Sequence, residues 1–218
     1  SSSGNMIAHG LGKVPKFVIA KDIDNTRAWY IYHEGLGANY RSSFDNAASS
    51  SDSFYFGSGM TDTFITLKSG GSGGNNYNGA DMIYYIWADV PGLQKFGSYL
   101  SIGGNDANFV YLGFKPAVLW IKSAVHQADT TSWCVFNDET DKSNPFHNPL
   151  YLNNTGEEGK RGNNSNSGTF NIDLVSNGFK LLTNVGEVNE GSSGTDRYIY
   201  CAWAKQPAFG PYGSQSNA

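Results

Sequence analysis

The chain has 218 residues, enough for one large β-domain or two small ones. Its net charge of −4 is spread along the sequence, and charged residues make up 16% of it, against about 25% in an average soluble protein. No basic block is present, which argues against a nucleic-acid partner, and no apolar run approaches the roughly 20 residues of a membrane-spanning helix, so no membrane insertion is expected.

In chain order, residues 1–6 open with SSSGN and read as a linker or cut end. Residues 16–21 are a continuous apolar run closed by Lys21, which predicts a strand covered on both faces. Residues 29–33 alternate, with Trp29, Ile31 and His33 on one face and Tyr30 and Tyr32 on the other. Residues 53–56 and 63–67 predict shorter strands. Residues 81–88 predict a long one, with Tyr85 and Trp87 facing one way and Tyr84, Ile86 and Ala88 the other. Residues 97–108 read as a joining segment. Strands are then expected over 117–123, 132–137, 170–174, 178–182 and 197–205, with 211–218 a tail. No stretch shows a sustained 3.6-residue apolar period with caps. Gly (27 residues) and Asn supply turns, while the aromatic 14% supplies strands. The prediction is an all-β, antiparallel two-sheet sandwich or jelly roll. The loops over 68–80, 156–168 and 185–196 are too poor in apolar residues to pack a core, and are expected at the surface, where ligands commonly bind.

The chain says nearly the same thing twice. HGLGKVPKFVIAKDIDNTRAWYIYHE at 9–34 is echoed by YLGFKPAVLWIKSAVHQADTTSWCVFND at 111–138, and MIYYIWADVPGLQKFG at 82–97 by YIYCAWAKQPAFG at 198–210. Lys21/Lys122, Trp29/Trp133, Phe64/Phe179, Trp87/Trp203, Ala88/Ala204, Pro91/Pro207 and Phe96-Gly97/Phe209-Gly210 recur at offsets of 101, 104, 115, 116 and 113. Loops therefore change length while apolar segments persist. A pseudo-repeat of about 100 residues points to one sandwich domain over 7–210 built from similar units, 7–100 and 109–210, with two separable lobes as the alternative.

The side chains offer little reactive chemistry. Cys134 and Cys201 sit inside strand-like runs and read as buried free thiols more readily than as a disulfide. The four histidines have no metal-ligand spacing, and His33 reads as a structural strand-end residue. A glycosidase needs two carboxylates about 5–10 Å apart across a sugar. Here the strands carry Tyr, Trp, Ile and Ala, and the acids cluster in turns, so no enzyme is expected. Calcium is the one candidate cofactor. It takes six to eight oxygens, and Asp22, Asp24 and Asn25 in one turn, with Asn137, Asp138 and Asp141 in a second, offer them. The same residue types stabilise turns by bonding their own backbone, which is the weightier reading. Trp29, Trp87, Trp133 and Trp203 recur in both units and read as core or sheet-face residues. Trp120, where the first unit has Ile19, and the loop-side Tyr40, Tyr77 and Tyr151 are the candidates for stacking on a ligand.

Taken in order, HGLGKVPKFVIAKD, AWYIYHEGLG, IYYIWADVPGLQKFGSY, FVYLGFKPAVLWIK, SNGFKLLT and YIYCAWAKQPAFG resemble a domain of bacteriophage tail-fibre and other virion structural proteins. That domain is in turn similar to concanavalin-A-like lectin/glucanase (LamG-like) jelly rolls. The resemblance runs from about residue 7 to 209 and rests on many short words, not on one catalytic signature. It implies a non-enzymatic virion appendage, tail fibre or spike, working outside the cell. It implies binding to a host-surface glycan or protein, contact with other virion proteins, and a homo-oligomer, a trimer by analogy. Two alternatives stay open: a self-assembling or decoration subunit of a virion or extracellular filament, and a glycan depolymerase.

Overall fold

The computed structural model describes residues 5–37, 40–44, 50–51, 59–67, 76–77, 79–103, 108–124, 131–153, 158, 169–190 and 196–206. They form fifteen strands: β1 (Met6–Ala8), β2 (Phe17–Asp22), β3 (Tyr30–His33), β4 (Tyr40–Ser43), β5 (Ser50–Ser51), β6 (Phe64–Thr66), β7 (Met82–Trp87), β8 (Gln94–Leu100), β9 (Asn108–Tyr111), β10 (Pro116–Ser123), β11 (Cys134–Asn137), β12 (Leu150–Tyr151), β13 (Ile172–Val175), β14 (Gly178–Leu181) and β15 (Arg197–Ala204). No α-helix occurs among the described residues. One 3-10 turn, Glu34–Leu36, is capped by His33, whose Nδ1 accepts the Gly35 N–H. The all-β, antiparallel sandwich expected from the sequence is what the chain forms, with four sheets among the described residues.

The chain divides into two compact units between Asp89 and Val90. In the first unit the main sheet runs β5-β4-β3-β2-β7, and β1 pairs with β6 in a second layer. Val18, Ala20, Tyr30, Ile65 and Leu67 are buried together, with Ile7, Met82, Tyr84 and Ile86 packed around them. Alternation decides this layer: Val18 and Ala20 of β2 and Tyr84 and Ile86 of β7 share one face, and Ile7 and Ile65 of the small sheet cover it.

In the second unit the main sheet runs β12-β11-β10-β15-β8, with β13-β14-β9 as the facing layer. The core is larger and more aromatic. Phe136, Phe170 and Phe179 are 1% exposed or less, Tyr99 stacks on Tyr198 at 5.3 Å, and Tyr99 meets Phe179 edge to face at 6.0 Å. Each large side chain taken fully out of water contributes about 1.5–3 kcal/mol before entropy is set against it. The buried tyrosine hydroxyls find carbonyls: Tyr99 donates to Val188 O at 2.6 Å and Tyr198 to Gly186 O at 2.8 Å.

The pairing order β4-β3-β2-β7 of the first unit has a counterpart, β12-β11-β10-β15, in the second. Register corresponds too. Phe17 faces Trp87 and His33, while Val118 faces Trp203 and Asn137, at the same offsets of 101, 116 and 104 as the repeated words.

Several sequence expectations change. Residues 97–108 are not simply a joining segment: Gly97 to Leu100 belong to β8, which pairs with β15. The division at Asp89 therefore falls earlier than residue 100. Met6, expected in the opening linker, is the first residue of β1. The stretch beginning at 185 is not all surface loop, because Val185 and Val188 are buried in the second core. The strand expected at 53–56 and the loop residues 68–75 and 159–168 lie outside the described residues. Cys134 and Cys201 are both free and buried.

Close packing between β9 and β14 gives one test. A Cβ added to Gly178 would run into the Val110 carbonyl oxygen, which is backbone and cannot swing aside. Gly178→Ala should destabilise the chain by about 1–3 kcal/mol, read as a lower denaturant midpoint. An unchanged midpoint would contradict this packing.

Candidate functional site

The turn after β2 holds the first candidate set. Asp22 is fully buried. Its Oδ1 accepts the backbone N–H groups of Asp24 and Asn25, both at 3.0 Å, and the Asn25 amide reaches both carboxylate oxygens at 3.3 and 3.2 Å. Arg27 Nε lies 2.8 Å from Oδ2. Burial works to raise the Asp22 carboxyl, but these hydrogen bonds and the Arg27 charge outweigh it and hold the group below the usual carboxylate range. Asp24 accepts the Asp81 N–H at 2.7 Å, which ties the turn to the start of β7. The oxygens proposed for calcium are thus aimed at backbone donors, and Arg27 holds the place of a cation. Arg27 also lies over the Tyr77 ring, 3.1 Å from its centroid, so one face of this candidate aromatic is covered from within the chain.

The turn after β11 holds the second set, and it opens on a cleft. Asn137 Oδ1 accepts the Glu139 N–H at 2.8 Å. Asp138 pairs with Lys205 Nζ at 2.6 Å, and this carboxylate raises the Lys205 ammonium. Asp141 is nearly buried and gathers four donors: Ser143 N–H at 3.0 Å and Oγ at 2.5 Å on Oδ1, and the N–H groups of His147 and Asn148 at 3.0 and 3.1 Å on Oδ2. Burial alone would raise its pKa, but the bonds to Ser143, His147 and Asn148 bring it down to about 2. Asp141 is therefore the organiser of the 141–148 segment. Among the described residues no three His, Cys, Asp or Glu side chains converge as metal ligands.

The cleft beside this turn has a volume of about 170 Å³. Lys115, Lys205, Asp138 and Asp141 supply its charge, and Phe146 and Leu174 its apolar wall. Lys142 also borders it but is drawn to Glu139 at 2.7 Å. Asn144 fixes the wall, its Oδ1 accepting the Leu174 N–H at 3.0 Å. The cleft thus combines lysine ammonium groups, two carboxylates engaged within the chain and one hydrophobic side.

Within each unit the candidate aromatics sit on separate elements. Tyr40 is on β4, not in a loop, and stands 46% exposed. Tyr151 is on β12 and packs against the second core. Trp120, on β10, meets Trp203 edge to face at 5.1 Å. Trp120 thus has an aromatic neighbour in the sheet, which accounts for its position without a ligand.

The acidic residues alone do not point to Lys115 and Lys205. Their signal was present: Lys115 precedes Pro116 at the start of β10, and Lys205 follows Ala204 at the end of β15. Antiparallel pairing joins those ends, with Lys205 N–H bonded to Lys115 O at 2.9 Å.

The depressed Asp141 carboxyl gives a pH test. A group lowered on folding contributes its full stability above the ordinary carboxylate value and loses it as pH falls from about 4 to about 2. Asp141→Asn removes the charge and should cost about 1–3 kcal/mol at neutral pH. The gap from the parent in thermal midpoint should narrow across that acid window. A gap that stays constant with pH would contradict the assignment.

No curated protein and no solved structure matches the chain. Residues 1–207 match the model of a family described as a domain of unknown function (DUF7483), and since the match spans nearly the whole described fold, the chain belongs to that family.

Proposed function

We propose that this chain is a non-enzymatic appendage domain of a bacteriophage virion, exposed outside the cell, that binds a host-surface glycan. The virion part rests on the ordered words that resemble tail-fibre domains. The binding part rests on one observation, the cleft flanked by Lys115, Lys205 and the Asp141-organised turn. Its 170 Å³ is below the about 300–1,000 Å³ of pockets that engulf a drug-sized molecule, and suits a single sugar ring held at the surface. Lys205 is paired with Asp138 and Lys142 with Glu139, and Asp141 turns its oxygens to Ser143, His147 and Asn148, so Lys115 is the cleft ammonium outside these pairs. That ammonium favours a saccharide carrying a carboxylate. Such a site is weak alone, and repetition of the domain on an appendage raises avidity without new contacts.

The test is a titration of the chain with neutral and acidic bacterial surface saccharides, followed by NMR shifts of residues 138–146. Saturable binding of an acidic saccharide is expected, and it should persist with a calcium chelator. Lys115→Gln should weaken it about tenfold or more, the loss of one charge-assisted hydrogen bond of about 1.5–3 kcal/mol. No saturable binding by any acidic saccharide would overturn the reading.

A self-assembling structural subunit is the second reading. The specific observation in its favour is the pair of large hydrophobic side chains Ile83 and Tyr85 on β7, 38% and 43% exposed.

A further inference from the structure

The segment that leads from β9 to the cleft lysine has two unlike sides. Over residues 110–116 burial alternates without a break: Val110, Leu112, Phe114 and Pro116 are buried, and Tyr111, Gly113 and Lys115 are exposed. Val110, Leu112 and Phe114 enter the second core. The period of two that a strand imposes thus continues past the end of β9 at Tyr111. Phe109, 43% exposed, extends the outer row by one place. The row runs from Phe109 and Tyr111 to Lys115, with Gly113 bare between ring and ammonium.

Tyr111 is 60% exposed, a large aromatic surface left to water. Two glycines stand beside it. Gly178 is its partner across the β9/β14 ladder and carries no side chain to cover the ring. Gly113 has a φ of 88°, in the left-handed region that favours glycine, and a Cβ there would lie 3.5 Å from the Tyr111 hydroxyl. The hydroxyl end of the ring is therefore directed along the row, on the Lys115 side. From Gly113 to Lys115 the chain spans at most about 7 Å, the reach of two extended residues. Lys95, on β8, secures the strand here: its Nζ donates to the Tyr111 carbonyl at 2.9 Å and lies 5.5 Å from the ring centroid. An ammonium has further donors to offer beyond that one bond.

We propose that Tyr111, with Lys95 beside it, is a second sugar subsite, so that the ligand of the cleft is an acidic oligosaccharide of at least two residues. The acidic ring sits at Lys115, and the ring linked to it lies against Tyr111 across the bare Gly113. The apolar face of that sugar covers the aromatic face, while the tyrosine tip and the Lys95 ammonium bond its hydroxyls. Gly113 is then a passage, since a side chain there would stand between the two subsites. This inference rests on the cleft reading and adds to it the size of the ligand and the direction in which it runs.

The test compares one acidic ring with linked ones on the full chain. Glucuronic, galacturonic and sialic acids, and their oligomers of two and three residues, are titrated in turn, with amide shifts followed at residues 111–115 and 138–146. The oligomer should bind more tightly than its single ring, with shifts that reach Tyr111 and Gly113. Tyr111→Ala should weaken the oligomer several-fold to about tenfold, the worth of one ring face, and leave the affinity of the single ring unchanged. Tyr111→Phe, which keeps the face, should retain most of the gain. An oligomer that binds no more tightly than its single ring, or that is unmoved by Tyr111→Ala, would overturn the second subsite and leave the cleft standing. An oligomer weakened by Tyr111→Ala and unmoved by Lys115→Gln would overturn the cleft reading, and with it the placing of the acidic ring. No binding by any of these saccharides would overturn both.

Discussion

Each unit depends on one antiparallel pair: a mostly apolar strand laid against a strand that carries tryptophan at or next to its end. In the first unit this is β2 against β7, from Phe17 opposite Trp87 to Asp22 opposite Met82. In the second it is β10 against β15, from Pro116 opposite Ala204 to Ser123 opposite Tyr198. Because side chains alternate, that register decides which residues enter the core. A slip by one residue would turn Val18, Ala20, Tyr84 and Ile86 out of the first core, and Leu119, Ile121, Tyr198 and Tyr200 out of the second. The small facing sheets can cover only a face that the central pair has already defined.

The turns act as clamps on these pairs, and this is why their acids do not read as metal sites once the side chains are in place. Asp22 ends β2, and its oxygens are directed at Asp24, Asn25 and Arg27, while Asp24 reaches the start of β7. Asp141 does similar work after β11, tying Ser143, His147 and Asn148 to one carboxylate beside the cleft. A carboxylate that satisfies three or four donors is held firmly, and its geometry is inherited by whatever lies next to it. In the second unit that neighbour is the cleft with Lys115 and Lys205.

The strands were legible because alternation and apolar runs act locally. Residues 178–182 and 197–205 gave β14 and β15 within a residue, since each has a long apolar pattern closed by a turn. β8 was missed because Gly97 and Ser98 lower its apolar signal; it exists as a strand because Tyr99 and Phe96 find partners on β15, far along the chain. Val185 and Val188 were missed for a related reason. Two valines in a polar stretch carry no periodicity; the segment is held where Tyr99 donates to the Val188 carbonyl and Tyr198 to the Gly186 carbonyl. The candidate site was legible in its acids and not in its lysines. Asp138 and Asp141 stand close together in sequence, whereas Lys115 and Lys205 meet only through the β10/β15 register. Tyr151 and Trp120 are engaged by packing within the protein, which their aromatic character alone does not reveal.

The central claim is that the pairing order β4-β3-β2-β7 corresponds to β12-β11-β10-β15, and that β8 extends the second sheet beyond β15 whereas β7, among the described residues, ends the first. Site-resolved amide hydrogen exchange on the dilute chain tests this most directly. Tyr198 and Ala202 turn their N–H groups toward β8, and Met82 and Ile86 hold the matching places on β7. The account predicts slow exchange at Tyr198 and Ala202, and exchange faster by orders of magnitude at Met82 and Ile86. Equal protection at all four positions in a chain dilute enough to be a single copy would contradict it, because the β7 edge would then be covered from within the molecule.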